Sequence, residues 1–558
     1  MASLAAARPE WRGVMGAALL IALALAVPVG MLLACLSRHL RERMPPLLAL
    51  APVPGLAAAL LASGAPPLVL DEAGLQFTLA LDRPGSMLLG AAALLWIAAG
   101  TYARTYLSGR PDGGRFAVWW LLSLTGSLGV FMAADMASFY VFFGMASLAA
   151  WGLVIHDGAP ATLRAGAIYL GLAVLAEICL LMAFALLAAA TPGSSLVIQD
   201  AVALLPTSPG RNATLAFLIV GFGLKVGLVP LHVWLPLAYR AAPVPAAAVI
   251  SGAISKAGII GLLRFLPLDA ALPDWGAALA TVGLVSAFYG VAIGITQTNP
   301  KTVLAYSSVS QMGFMATVLG MALAAGDGTV AMAVAFYAAH HVLVKGALFL
   351  AVGVVVATGA RRLWLVLLPA AILALGFGGL PLTGGALAKL VVKPPLGDGA
   401  VGLLAMLAAA GSTLLMLHFL NRLGLSAAPD PEAQAPAGLA WPWLATAFAG
   451  VAVPWILFLA SGIGTLAEVV SPDALWGGLW PVLLGVLLAV LLRRWQDRLP
   501  RVPEGDVVVV GAAITPAAAA LGRSLERAEG ALRQWPVAGV ALLGLLMALG
   551  AAILGHVP

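Results

Sequence analysis

Charge is scarce in this chain. Of its 558 residues, 29 are Lys or Arg and 23 are Asp or Glu, 9% together, where soluble domains carry about a quarter. So little charge cannot clothe a surface that faces water on all sides. Cysteine is scarcer still. Cys35 and Cys179 are the only two; both lie in apolar runs, and they offer neither a disulfide framework nor the spacing of a metal or iron–sulfur site. No glycine-rich phosphate loop follows a strand-like run, and there is no serine elbow. No cofactor is therefore expected, and any redox catalysis belongs to partner subunits. The net charge of +6 comes from arginines in short loops between apolar runs, which gives no ground for nucleic-acid binding.

What the sequence has in abundance is apolar length. Hydrophobic residues make up 62% of it, and runs of about 20 residues, enough to cross a bilayer, recur from end to end. They fall near 13–36, 46–63, 86–107, 116–134, 136–155, 161–190, 213–239, 244–266, 275–296, 301–324, 330–358, 363–392, 401–423, 441–463, 475–492 and 535–556. The expected fold is an all-α polytopic membrane protein with about 16 transmembrane helices. The first run lacks a cleavage site and reads as an anchor rather than a removed signal peptide. Between the second and third runs, LVLDEAGLQFTLALD alternates around Glu72-Ala73-Gly74, which suits a short hairpin outside the lipid. After Leu492, 517–532 has helical spacing with Arg523, Glu526, Arg527 and Glu529 on a charged face, which suits a helix along the membrane surface.

Basic residues set the expected orientation. Arg38, Arg41, Arg43, Arg104, Arg110, Arg115, Arg164, Arg240, Lys301, Arg361, Arg362 and Arg422 lie in or beside loops after odd-numbered spans, as does the cluster from Arg493 to Arg533. The other loops hold few, such as Arg83 and Arg211. The positive-inside rule then places both termini outside a bacterial-type inner (plasma) membrane. Arg8 and Arg12 argue the other way.

Two spans carry helix breakers. Pro230 and Pro236 interrupt 213–239, and GFGGLPLTGG interrupts 363–392, because proline removes a backbone donor and clashes with the preceding turn. The second interruption comes five spans after the first. An odd repeat of five gives two halves of opposite topology, and paired broken helices in matching positions point to an ion path. Lysines stand at these places: Lys225 before the first break, Lys256 in the next span, Lys345 in the eleventh, and Lys389 past Pro381. Charges inside spans are costly and by default face the interior or water. Burial favours a neutral lysine and a nearby carboxylate favours a charged one, so a lysine with a movable carboxylate is a proton switch. The bland alternative is a lysine that binds carbonyls freed at a break or, for Lys345, one that snorkels to the interface.

Other polar groups at membrane depth divide in the same way. His341 and Lys345 are four apart and share a helix face, which makes His341 a relay candidate. His340 points elsewhere and suits relay or packing equally. No further residue gives this pair zinc-ligand spacing, so no metal is expected. His232, after Pro230, lines water or caps the break, and His418 is a candidate for the outlet. Tyr337, Ser308, Ser310 and Gln311 order water or glue helices. Asp135 reads as a loop or cap residue. Glu177, in the middle of 161–190, is an isolated carboxylate whose nearest cation at membrane depth is Lys225, so these two are expected to pair.

LKVGLVPLHVWLPLAYRAAPVPAAAVISGAISKAG, with NPKTVLAYSSVSQMG at 299–313, FYAAHHVLVKGALFL at 336–350 and GLPLTGGALAK at 379–389, resembles the antiporter-like subunits shared by respiratory complex I, multisubunit cation/proton antiporters and membrane-bound group 4 hydrogenases. The resemblance runs from about Ser86 to Leu423. It implies two inverted five-helix units, each a proton half-channel: 116–266 and 275–423, after N-terminal helices with the hairpin (1–110) and before C-terminal helices with the surface segment (424–558). It also implies Lys225 as a switch, Lys256 passing the proton to a central axis, His341 and Lys345 continuing it, and Lys389 ending the second half-channel. In that family a fifth-span glutamate, in a sequence like FFWE, pairs with the first lysine. Here FYVFFGMASLAAW puts Gly144 and Met145 at those places, and the nearest buried acid is Glu177 on the next span.

The resemblance thus implies a proton-translocating subunit among other membrane subunits, with a redox module carrying iron–sulfur clusters, of quinone-reductase or hydrogenase type. The alternatives are a subunit of a sodium/proton antiporter or inorganic-carbon uptake complex, and a docking subunit that does not conduct.

Overall fold

The computed structural model describes residues 8–72, 75–494 and 502–503. The surface helix expected over 517–532, the last expected span and nearly all of the Arg493–Arg533 cluster lie outside the described residues. The rest is helical apart from one hairpin, and twelve of its helices are long and apolar enough to cross a membrane. In chain order the segments are α1 (Arg8–Ala34), α2 (Val53–Leu61), α3 (Arg83–Tyr106), α4 (Gly113–Met132), α5 (Met136–Val154), α6 (Pro160–Ala190), α7 (Arg211–Val226), α8 (Trp234–Ala241) and α9 (Val244–Phe265). There follow α10 (Pro273–Gly294), α11 (Pro300–Ala325), α12 (Val330–Val356), α13 (Trp364–Gly378), α14 (Gly384–Leu396), α15 (Ala400–Gly424), α16 (Ala437–Ala460) and α17 (Pro472–Arg493).

The starts of several helices are written locally. Asp82, Asp135 and Asn299 accept hydrogen bonds from Gly85, Ser138 and Lys301 N–H groups at 2.7, 2.7 and 2.9 Å, which satisfies donors orphaned at a helix start. Asp135 is thus the cap expected of it, and it also takes the Thr78 N–H at 2.5 Å. That second bond ties α5 to the hairpin, in which Leu68–Glu72 pairs antiparallel with Leu75–Leu79. At the end of α9, Arg264 donates to the carbonyls of Val130, Phe131 and Ala133 at 3.1, 2.7 and 2.6 Å, which closes the exposed end of α4.

The stretch 46–63 departs from the expected span. It is a 3₁₀ turn at Pro45–Leu47 followed by the nine-residue α2. Pro45, Pro46, Pro52 and Pro54 remove the N–H groups a continuous helix would use. The stretch still lies along α3, with Ala49 against Gly100 and Ala59 against Gly90.

Two segments come in two pieces. α7 ends in Gly227, at φ 79°, whose N–H and that of Leu228 both reach the Gly223 carbonyl at 2.9 Å. Helix resumes at Trp234. Pro236 does not take part in this break; it sits in the first turn of α8, where the missing N–H costs nothing. α13 ends in Gly379, at φ 101°, and α14 begins after Thr383, whose hydroxyl accepts from Ala386 N–H at 3.4 Å. Both stops need a left-handed backbone that glycine adopts without a steric penalty. Among the described spans the most buried are α9, α11 and α12: 94% of the apolar window of α9 is buried, against 17% for α17.

Candidate functional site

Along α6, Val174, Ile178 and Leu181 face outward while Glu177 is only 7% exposed. Glu177 therefore points into the protein, towards α5. There it meets a glycine: a Cβ on Gly144 would lie 3.6 Å from Glu177 Oε2. On the other side of α6, Gly221 lets α7 come close to Leu180 and the Ala176 carbonyl. Lys225, one turn after Gly221, is buried and donates from Nζ to Ser147 Oγ at 2.8 Å, with Nζ 5.3 Å from the centre of the Phe143 ring. Neither Glu177 oxygen takes a well-directed hydrogen bond, although the Ser147 hydroxyl and the Lys225 charge both act on the carboxyl. The expected pair is therefore brought together with Ser147 alongside both partners, not as a direct hydrogen-bonded ion pair.

α9 is locally wound as a π-helix over Ile250–Ile254, a geometry found mostly as single turns at functional positions. It releases backbone acceptors, and Lys256 uses one: its Nζ donates to the Ser251 carbonyl at 2.8 Å and to Ser255 Oγ at 3.1 Å. Gly258, two residues on, packs against Lys225 Cβ, so α9 follows directly on the first cluster. On α12, Lys345 Nζ donates to the Leu304 carbonyl and Ser307 Oγ, both at 2.8 Å. His341 is fully buried with no hydrogen bond to either ring nitrogen, and the charges of Lys256 and Lys345 both act on it.

Phe377, the penultimate residue of α13, gathers three of these groups. Its ring centre is 5.3 Å from Lys345 Nζ, 5.5 Å from the His341 ring and 5.8 Å from the His340 ring. His340 faces the second interruption: a Cβ on Gly384 would lie 2.9 Å from it, and the Lys389 charge acts on it. Lys389 Nζ is covered and has no hydrogen-bond partner, and it lines a cavity of about 550 Å³ that also meets Lys393, Asp398, Glu468 and Asp473.

The remaining candidates lie off this file. His232 is buried among the rings of Tyr289 and Tyr306. His418 Nε2 is 2.7 Å from the Gln297 carbonyl and lines a separate cavity of about 320 Å³ with Asn421 and Arg493. Tyr337 donates to Gln311 at 2.5 Å, and Gln311 to Ser412 at 3.0 Å, which links α12, α11 and α15. Ser308 meets Ser251 at 3.3 Å. Sequence reasoning missed Ser147, Ser307 and the π-helix. Only the departure at Gly144-Met145 signalled that α5 was unusual. Among the described residues, no group of three or more His, Cys, Asp and Glu is arranged to hold a metal.

Residues 133–414, which hold the whole file, match the family described as NADH:quinone oxidoreductase/Mrp antiporter, transmembrane. The chain is 30% identical over 310 residues to hydrogenase-4 component B of Escherichia coli strain K12, covering 53% of this chain and 45% of that one. It is 35% identical over 295 residues to NADH-quinone oxidoreductase subunit N of Desulforudis audaxviator, covering 51% and 57%. It spans about half the length of these relatives. Its fold is that of a chain in the Mrp complex from Dietzia sp. DQ12-45-1b, at a TM-score of 0.73 and 23% identity, over 96% of this chain and 63% of that one. The protein is an integral membrane protein with the antiporter-like architecture of these multisubunit complexes. With a family match over half its length, the chain belongs to the NADH:quinone oxidoreductase/Mrp antiporter transmembrane family.

Proposed function

We propose that the chain is the proton-translocating subunit of a larger membrane complex and that protons move along Lys225, Lys256, His341, Lys345 and Lys389. One observation carries this: buried Lys225, Lys256, His341 and Lys345, with Lys389 beyond them, run from one interrupted segment to the other by way of α9 and α12, which are among the most buried of the described spans. Such groups are costly in a membrane unless they serve a path. Segments α4–α9 and α10–α15 each run as five helical stretches with the fourth in two pieces, which supports two inverted half-channels over 116–266 and 275–423, flanked by 1–110 and 424–558. Glu177 and Lys225 exchange a proton: with Glu177 charged the proton rests on Lys225, and once Glu177 has been neutralised a reloaded Lys225 passes its proton to Lys256 and on to His341 and Lys345. Lys389, with His340 behind it, exchanges with the 550 Å³ cavity. By the charge bias of the loops that cavity opens outward, on the same side of an inner membrane as both termini, and the cavity at His418 opens inward.

The driving partner is proposed to be a redox module with iron–sulfur clusters, together with other membrane subunits. The names of the relatives support equally a sodium/proton antiporter, and co-purifying subunits distinguish the two. Gly144 and Met145 favour a third reading, a docking subunit that does not conduct. The test is potential-driven proton uptake into proteoliposomes holding the complex purified through this chain. Uptake lost in Lys256→Met with assembly intact supports conduction, and uptake unchanged in Lys225→Met, Lys256→Met and Lys389→Met rejects it.

A further inference from the structure

On the premise that the chain moves protons, we propose that Ser147 is the positioning residue that couples Glu177 to Lys225, and that Gly144 is the opening through which Glu177 reaches it. Three helices meet at this point. Ser147 on α5 accepts from Lys225 of α7 at 2.8 Å, while its own hydroxyl donates to the Phe143 carbonyl at 2.8 Å. Its backbone carbonyl is fixed by the Tyr169 hydroxyl of α6 at 2.6 Å. The Glu177 carboxyl lies over Gly144, one helical turn before Ser147, where a Cβ would already touch it at 3.6 Å and a side chain longer than a methyl would compete for its place. A cavity of about 10 Å³ opens beside them, lined by Ser147, Tyr169, Ala173, Ala176, Lys225 and Trp234, close to the room a single water needs.

The hydroxyl therefore has two settings. Donated to Phe143, it leaves Glu177 without a hydrogen bond. Turned towards Glu177, with a shift of the carboxyl that brings it into hydrogen-bond geometry with Ser147 Oγ, it forms a two-bond chain from ammonium to carboxylate. Along that chain one N–H of Lys225 breaks as an O–H forms on Ser147, and the original Ser147 O–H breaks as an O–H forms on Glu177. The products are a neutral amine, an unchanged serine and a neutral acid. The carboxylate needed by the first lysine is thus supplied by α6 instead of α5, and the glycine on α5 is what admits it.

The test uses the intact complex in proteoliposomes and two readouts: potential-driven proton uptake, and the infrared carbonyl band that Glu177→Gln removes. Ser147→Ala is expected to slow uptake about tenfold or more, the loss of one charge-assisted hydrogen bond, and to move the Glu177 band. Ser147→Thr, which returns the hydroxyl, is expected to restore both. Gly144→Asp combined with Glu177→Ala, which offers a carboxylate from α5 at the same place, is expected to recover uptake that Glu177→Ala alone has lost. An unchanged band and unchanged uptake in Ser147→Ala overturn the inference. If Lys225→Met stops uptake while Ser147→Ala does not, only this inference falls. If Lys225→Met also leaves uptake intact, the proton path itself is wrong and the coupling falls with it.

Discussion

The two interrupted segments carry the same residue type in opposite settings. Lys225 hangs from the first piece of its segment, two residues before the cap glycine, and its amine is held by Ser147 with Glu177 close by. Only a cavity of about 10 Å³ adjoins it. Lys389 hangs from the second piece; its amine is covered and has no hydrogen-bond partner, and the residue lines a cavity of about 550 Å³. A buried ammonium needs a counter-charge or water, since desolvating it alone is costly. The first half supplies the counter-charge, and the second supplies room for water. Under the proposed function the first lysine holds or releases a proton with its carboxylate, and the second exchanges one through its cavity.

The largest effect that could break this comparison is on transport. Lys225→Met is expected to lower potential-driven proton uptake by about a hundredfold or more, as loss of an obligatory proton carrier does. Lys389→Met is expected to cost about tenfold, because the cavity it lines also meets Lys393, Asp398 and Glu468, which can still exchange protons there. Equal losses would mean that the two lysines do the same work. Stability should divide the halves as well. Glu177→Gln leaves Lys225 without its carboxylate and should cost about 1–3 kcal/mol, read as a lower unfolding midpoint of the purified complex in detergent; adding Lys225→Met should recover part of it. Lys389→Met should leave the midpoint unchanged or raise it, since that amine gives up no bond to the protein.

Accessibility sharpens the contrast without touching energetics. A charged, water-soluble thiol reagent should modify Lys389→Cys readily and Lys225→Cys hardly at all, against a low background from the buried Cys35 and Cys179. Similar rates at both sites would remove the distinction between a wet and a dry lysine. The mildest change is a label alone. Asp398→Cys, on the rim of the large cavity, should react with an impermeant reagent on intact cells. Asp157→Cys, in a loop after an odd-numbered span, should react only after permeabilisation. The reverse pattern would invert the orientation and send the Lys389 cavity to the cytoplasm.

What was legible in the sequence was legible because the bilayer makes length and composition decisive. A run of about 20 apolar residues is long enough to span a bilayer as a helix unless proline or glycine interrupts it. The helices stop at Gly227 and Gly379, close to the Pro230 and GFGGLPLTGG that the sequence offered as breakers. The lysines were conspicuous because charge is so costly at that depth. Asp135 announced its cap by residue type. The misreadings were local and came from treating proline as a simple breaker. Pro45 and the three prolines in 46–63 spoil helix geometry without stopping the chain from running along α3, and Pro236 sits harmlessly in a first turn.

Sequence by itself determined depth: which residues lie in the apolar layer, and where its helices stop. Tertiary structure decided rotation. α6 is apolar on every side, so nothing in its own pattern says which way Glu177 points. Close packing through Gly144 and Gly221 turns it inward towards Lys225. The same packing makes Ser147 a partner of two helices, sets Phe377 among two histidines and a lysine, and leaves Lys389 on an open cavity. In lipid, apolar faces gain little by turning from the solvent to a neighbour. The angular position of each helix is therefore fixed by shape and by a few polar contacts between helices, and these exist only once the helices are assembled.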